Sequence, residues 1–166
     1  KIIYDEELFF NIIINGCDGI IPNKKASLYL GNSGTCCRFL IPILCLQESI
    51  IEYTIFCDNK MKSRPMKDLF ICLENLNCNI EYLEEEYCLP IKITKNEFDY
   101  KKIKDISINS NISSQFITGI LIALSIYKNN YTINLINKPV SIGFINLSII
   151  ILNKYFNNII LDDNKI

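Results

Sequence analysis

Two features of this chain mark its chemistry. Arginine occurs only twice, as Arg38 and Arg64, beside fifteen lysines. Where lysine serves almost every cationic position, a retained guanidinium points to a need for its planar fork, which matches carboxylate and phosphate in two-pronged contacts. Both arginines sit at polar, donor-rich turns where helices are expected to start: Arg38 one turn beyond Asn32-Ser33-Gly34-Thr35, and Arg64 inside Ser63-Arg64-Pro65. Two more such starts carry hydroxyls without a cation, Asn111-Ile112-Ser113-Ser114-Gln115 and Val140-Ser141-Ile142-Gly143. Taken singly, each is accounted for by capping of the orphan amides in a first helical turn. If the four starts meet on one face, their N–H groups, hydroxyls, dipoles and guanidiniums converge, and the chemistry is anion binding. Gly34 has no Cβ, so a ligand can approach its backbone closely. No Gly-Lys-Ser/Thr follows, so the turn is not a Walker A loop.

Other chemistries are excluded by composition. The chain has no histidine and no tryptophan, which removes histidine-based acid–base and metal chemistry. A net charge of −1 argues against a general nucleic-acid surface. The apolar runs near 117–126 and 145–152 are too short to span a bilayer, so no membrane role is expected. The eight cysteines form no CxxC pair and read as reduced thiols in a cytosol-like compartment, with Cys36 and Cys37 expected in the core. The excess of isoleucine and asparagine reads as genome bias. A start at Lys1 without Met and an end at Ile166 read as a piece of something longer.

The elements that must position these turns follow from periodicity. Strands are expected at Phe9–Ile14, Ser27–Leu30, Ile51–Cys57, Asn79–Leu83, Ile91–Ile93, Asp105–Ile108, Tyr131–Leu135 and Asn158–Leu161. Helices are expected at Thr35–Leu46, Pro65–Leu76, Ser113–Ser125 and Gly143–Tyr155, with Pro65 at a first turn and charged loop at Phe98–Lys104. The order is strand–helix–strand–helix–strand–strand, and then most of it again. A repeated βαβαββ unit predicts an α/β fold with buried helices covered by sheets, in one domain without a linker.

Four stretches, in order, carry a family resemblance. LYLGNSGTCCRFL resembles the LxLGNAGTxxRxL motif of 5-enolpyruvylshikimate-3-phosphate synthase (EPSP synthase). NKMKSRPMKDLFICLENLNCNIEYLEEEYCLPIKI is similar to that family's RMxxRPxxxLxxxLxxLGAxIxYxxxxxxxPxxI segment, NISSQFITGILIAL to its SSQxxTALLMAAP, and NKPVSIGFINLSIIILNKYF to its KPxSxPYxxMTLxxMxxFG. Phe39 and the KPVS phrase resemble most the form fused into the pentafunctional AROM protein.

The resemblance implies an inverse α/β domain and the transfer of the enolpyruvyl group of phosphoenolpyruvate to the 5-hydroxyl of shikimate 3-phosphate. This is a step of the shikimate pathway toward aromatic amino acids, without metal or organic cofactor. It implies that residues 1–166 supply about two of three βαβαββ units of the N-terminal-side domain, the second domain lying elsewhere in the same polypeptide. It assigns phosphoenolpyruvate to Asn32, Gly34, Thr35, Arg64 and Gln115, and shikimate 3-phosphate to Ser113, Ser114, Gln115, Ser141 and Phe144. Arg38 is implied to support its loop. No catalytic residue lies in this segment, so the fragment alone is expected to be inactive. Glyphosate is implied as an inhibitor in the phosphoenolpyruvate subsite, where Gly34→Ala should weaken it. The location implied is cytoplasmic, or plastid if a transit peptide lies upstream.

Some positions depart from the family pattern: Phe144 stands for Tyr, Gly143 for Pro, Asn146 for an acid, and Ser33 and Cys36 flank the phosphate loop as mild changes. These favour weaker substrate binding with the same reaction. Two alternatives remain at this stage: UDP-N-acetylglucosamine enolpyruvyl transferase, and a non-catalytic domain that keeps the fold.

Overall fold

The computed structural model describes residues 2–4, 12–47, 49–95, 103–127, 130–156 and 158–166. Strand β1 (Ile2–Tyr4) pairs antiparallel with β2 (Ile12–Ile14). Positions 9–11 of the expected first strand, and 98–102 of the expected charged loop, lie outside the described residues.

The repeat is realised in two successive runs. The first comprises β3 (Lys25–Tyr29), α1 (Gly34–Cys45), β4 (Ile51–Phe56), α2 (Asn59–Lys62), α3 (Lys67–Asn75), β5 (Asn79–Tyr82) and β6 (Ile91–Lys95). The second comprises β7 (Asp105–Asn109), α4 (Ser114–Leu124), β8 (Thr132–Ile136) and α5 (Ile142–Leu152). In the first run, β3 and β4 are parallel with Ser27 opposite Thr54, and antiparallel β6 and β5 extend the sheet in the order β3-β4-β6-β5. In the second, β7 and β8 are parallel with Ser107 opposite Asn134.

Alternation along β4 turns Ile51, Tyr53 and Ile55 into the core and Glu52 and Thr54 toward solvent. Ile51, Tyr53 and Ile55 share one buried cluster with Cys37 and Ile41 of α1, Leu69, Phe70 and Leu73 of α3, and Phe116, Ile117 and Ile120 of α4, all essentially without exposure. Helices thus form the centre and sheets the cover, as the α/β reading requires. No helix among the described residues is long and apolar enough to cross a membrane.

Close contact between the two runs depends on Pro42 and Gly119. Pro42 has no N–H to donate to the Arg38 carbonyl four residues back, so that oxygen is free of its helical partner. It faces Gly119 of α4, where a Cβ would stand 2.2 Å from it and 3.2 Å from Pro42 Cγ. Only a residue without Cβ lets α1 and α4 approach so closely.

Four expectations need correction. The helix expected from Pro65 begins at Lys67, because Met66 is non-helical (φ −134°) and an unforeseen short α2 precedes the corner. The Pro65 carbonyl goes to a side chain of α1 and not into the helix. The helix expected to reach Tyr155 is regular only to Leu152, with hydrogen-bonded turns at 153–155. The strand expected at Asn158–Leu161 does not form: the Asn153 side chain accepts from Ile159 N–H and donates to Ile159 C=O, both at 2.8 Å, and holds that segment at the end of α5. Instead 164–166 run beside β8, exchanging two bonds between Ile133 and Ile166, on the edge corresponding to that which β6 takes beside β4. Cys36 is exposed, on the solvent side of the first turn of α1, while its neighbour Cys37 is buried.

Candidate functional site

Each parallel strand pair ends at the same edge of the molecule, and from the four strand ends the chain turns into α1, the α2–α3 corner, α4 and α5. This is the edge of an α/β sheet where backbone donors gather and ligands bind. Gly31, in the left-handed region at φ +57°, turns the chain out of β3, and its carbonyl accepts from Asp58 N–H at the end of β4. The Tyr29 hydroxyl donates to the Asp58 carboxylate across the same two strands. Ser33 then caps α1 by accepting from Cys36 N–H at 3.2 Å. Asn32 is exposed on this loop.

The first two turns form a cationic half. Gly34 is buried under two guanidiniums: a Cβ there would lie 2.9 Å from Arg64 Nη1 and 3.6 Å from Arg38 Nη1. Burial, and after it the adjacent Arg64 charge, hold the Arg38 guanidinium below its ordinary pKa. Among the described residues neither arginine has a carboxylate within ion-pair distance; the ion pairs there are Lys25–Glu52, Lys62–Glu84 and Lys92–Glu52. Two like charges held together without a counter-ion attract an anion. Arg38 is fixed from several sides: Nη2 donates to the Pro65 carbonyl at 2.9 Å, Nη1 to Gln115 Oε1 at 2.8 Å, and the group lies 5.2 Å from the Phe116 ring centroid. Its Nε is buried without a partner.

The last two turns form a hydroxyl half. Ser113 caps α4, accepting from Gln115 N–H at 3.3 Å. Ser141 occupies the N-cap position of α5 but does not cap. It is left-handed (φ 52°, ψ 45°), a sparsely populated conformation for a residue with a side chain, and its hydroxyl bonds no helix amide. Ser113, Ser114, Gln115, Ser141 and Phe144 all line one cavity of about 540 Å³ between α4 and α5, together with Thr118, Ile122, Leu147 and Ser148. Phe144 stands 65 % exposed at its mouth. Gln115 joins the halves: besides accepting from Arg38 it donates from Nε2 to Thr35 Oγ1 at 2.9 Å. Residues implied for two different ligands are therefore brought side by side, with Gln115 the side chain that bonds across from one set to the other.

Several supporting groups carried no sequence signal. The fully buried Ser110 donates to Ile136 and Asn137 carbonyls and accepts from Val140 N–H, tying the turn before α4 to the turn before α5. Asn137 donates to Asn109 at 3.0 Å, and Asn109 to Asp68 of α3 at 3.2 Å. The Thr118 and Ser148 hydroxyls meet at 2.8 Å under the cavity. Strand-end serines and asparagines are common turn residues, so nothing in the letters marks these as a connected set. No group of three metal-ligating side chains occurs among the described residues.

Comparison with known proteins gives this geometry a context. The family model for EPSP synthase (3-phosphoshikimate 1-carboxyvinyltransferase) matches residues 4–164. The chain is 36% identical over 148 residues to the pentafunctional AROM polypeptide of Pneumocystis carinii, covering 87% of this chain and 9% of that protein. It is 34% identical over 151 residues to the 3-phosphoshikimate 1-carboxyvinyltransferase of Vibrio atlanticus, covering 90% of this chain and 34% of that protein. An EPSP synthase structure from Acinetobacter baumannii superposes with a TM-score of 0.66 at 22% identity, over 84% of this chain and 29% of that one. The chain thus spans about a third or less of the proteins it matches.

Proposed function

The chain belongs to the EPSP synthase family, and on that premise we propose that it supplies part of the substrate site for enolpyruvyl transfer from phosphoenolpyruvate to shikimate 3-phosphate. The observation that carries this reading is the juxtaposition of the cationic and hydroxyl halves through Gln115. Phosphoenolpyruvate, with a carboxylate and a phosphate, suits Arg64 over Gly34, bordered by Asn32 and Thr35, with the charge of Arg38 adding to the field there. Shikimate 3-phosphate suits the cavity: Ser113, Ser114 and Ser141 offer hydroxyl donors to its phosphate, while Phe144 and the apolar wall face its ring. Gln115 lies between the two.

No side chain of this set is a carboxylate, imidazole or amine able to move a proton at neutral pH. The segment therefore binds and orients, and proton transfer falls to groups of a longer polypeptide in which residues 1–166 make about two of three βαβαββ units. The fragment alone is inactive on this reading. Glyphosate would compete in the cationic half, and Gly34→Ala would weaken it, since the added methyl meets Arg64 Nη1. The family match and the named relatives favour this reading over a UDP-N-acetylglucosamine enolpyruvyl transferase.

The test is phosphate release from phosphoenolpyruvate by the full-length protein, dependent on shikimate 3-phosphate. Ser113→Ala should raise KM for shikimate 3-phosphate about fivefold and leave that for phosphoenolpyruvate within twofold, the loss of one of three hydroxyl donors to the phosphate. Activity with a UDP-sugar instead, or none with either acceptor, would sink the proposal.

A further inference from the structure

An amide side chain such as Gln115 is ambiguous by itself, because its oxygen and nitrogen are nearly the same shape and either end can face a neighbour. Here the ambiguity is removed by chemistry. A guanidinium only donates, so the end of Gln115 that meets Arg38 Nη1 at 2.8 Å must be the oxygen. The other end is then the NH2 group, which donates to Thr35 Oγ1 at 2.9 Å. A hydroxyl that accepts there keeps its own proton for a further acceptor. Thr35 is exposed, next to Gly34 and the two guanidiniums.

We propose that Arg38 is a positioning residue that sets the direction of an Arg38–Gln115–Thr35 relay, so that Thr35 presents a donor to an oxyanion held at Gly34 and Arg64. The same guanidinium holds the Pro65 carbonyl at 2.9 Å, and with it the corner that carries Arg64. One planar group thus fixes both the charge and the hydroxyl that face the ligand, and links the two repeats in doing so. These bonds leave Arg38 for Pro65 and Gln115, and through Gln115 they return to Thr35 on the loop before it. A lysine cannot substitute, because one ammonium cannot stand at both hydrogen-bond positions of the fork. The inference rests on phosphoenolpyruvate being the oxyanion bound there.

The test compares Arg38→Lys, Thr35→Val and the double variant in the full-length protein, with KM for each substrate, kcat and melting temperature. Each single change should raise KM for phosphoenolpyruvate about tenfold, the loss of roughly one charge-assisted or ligand-facing hydrogen bond, with the second substrate affected less than threefold. Because the relay acts as a unit, the double variant should be within twofold of the worse single variant. Costs that multiply would overturn the proposal, as would Arg38→Lys that melts earlier with KM unchanged. If the unmutated protein transfers no enolpyruvyl group, the functional reading fails instead, and the relay is judged by the Gln115 side-chain amide in NMR. Slow exchange of that NH2, made fast by Thr35→Val and by Arg38→Lys, supports the relay; exchange that neither change alters overturns it.

Discussion

The two repeats bring their helix starts to one candidate site from the same frame and furnish it with different chemistry. The first contributes charge, Arg38 and Arg64 over Gly34; the second contributes hydroxyls, Ser113, Ser114 and Ser141, around a largely apolar cavity. The charged half needs support. Arg38 takes a carbonyl from one corner, an amide oxygen from the other repeat and an aromatic ring. The hydroxyl half needs only placement, given by the cap at Ser113, the left-handed turn at Ser141 and the buried Ser110 behind both. They also differ away from the site. The first repeat turns Lys25, Glu52 and Lys92 outward from a four-stranded sheet, whereas the second leaves Phe144, Leu147 and Ile150 of α5 exposed. A strand end can thus be equipped for binding independently of how its sheet is completed.

Pushing the two repeats apart should have the largest effect. Gly119→Ala puts a methyl 2.2 Å from the Arg38 carbonyl, and the opposing atom is backbone that cannot step aside as a side chain would. The expected cost is about 3 kcal/mol or more, at the upper end for overpacking, and it should appear as a large fall in the urea midpoint. Anion binding should fall with it even in the fraction that stays folded, since Arg38 and Gln115 would separate. An alanine variant of unchanged stability would show that α1 and α4 do not meet here.

Much of this was legible in the sequence, and the limits have physical causes. Apolar periodicity located α1, β4 and α4, because burial of one face imposes a pattern that letters record. The four polar turns were visible as capping signals, and two do cap, at Ser33 and Ser113. Ser141 was visible as a residue but not as a strained one, since left-handed φ in a non-glycine leaves no signature. The start of α3 was misplaced because Pro65 fits a first turn equally well, and only Arg38, distant in sequence, takes its carbonyl. Asn158–Leu161 has the composition of a strand, yet the Asn153 amide competes for its backbone. Long-range pairings such as Gln115–Thr35 are set by the fold, and no local pattern announces them.

A middle-sized effect separates the halves directly. If the proposed function holds, Arg64→Ala should weaken phosphoenolpyruvate binding to the full-length protein about thirtyfold, as expected for a charged contact of about 2 kcal/mol. Ser141→Ala should weaken shikimate 3-phosphate binding only about threefold, since it removes one of three hydroxyl donors to the phosphate and no charge. Calorimetric titration at two salt concentrations sharpens the contrast: added salt should lessen the Arg64 effect and leave that of Ser141 nearly unchanged. Equal effects, or a salt response at Ser141 alone, would show that charge and hydroxyl functions are not divided between the repeats as drawn.

The smallest effect uses an asymmetry of composition: seven of the eight cysteines lie in the first repeat, Cys17 precedes it and none lies in the second, so titration of the buried thiols reports the first repeat and not the second. Burial pushes the Cys37 thiol up to about 11 and that of Cys72 up to about 12, from an ordinary 9.0. With the folded value raised, the folded state keeps protons that the unfolded state loses. Stability is therefore unaffected well below pH 9 and falls as pH rises through the unfolded value toward the folded ones. Between pH 7 and 9 the loss should stay under about 1 kcal/mol for the two thiols together, and it should steepen beyond. Urea unfolding at pH 7, 9 and 10 measures it, and Cys37→Ala with Cys72→Ala should flatten the slope. A slope that persists without these thiols would place the alkaline sensitivity in the tyrosines or the second repeat, and the thiols of the first would no longer distinguish the two.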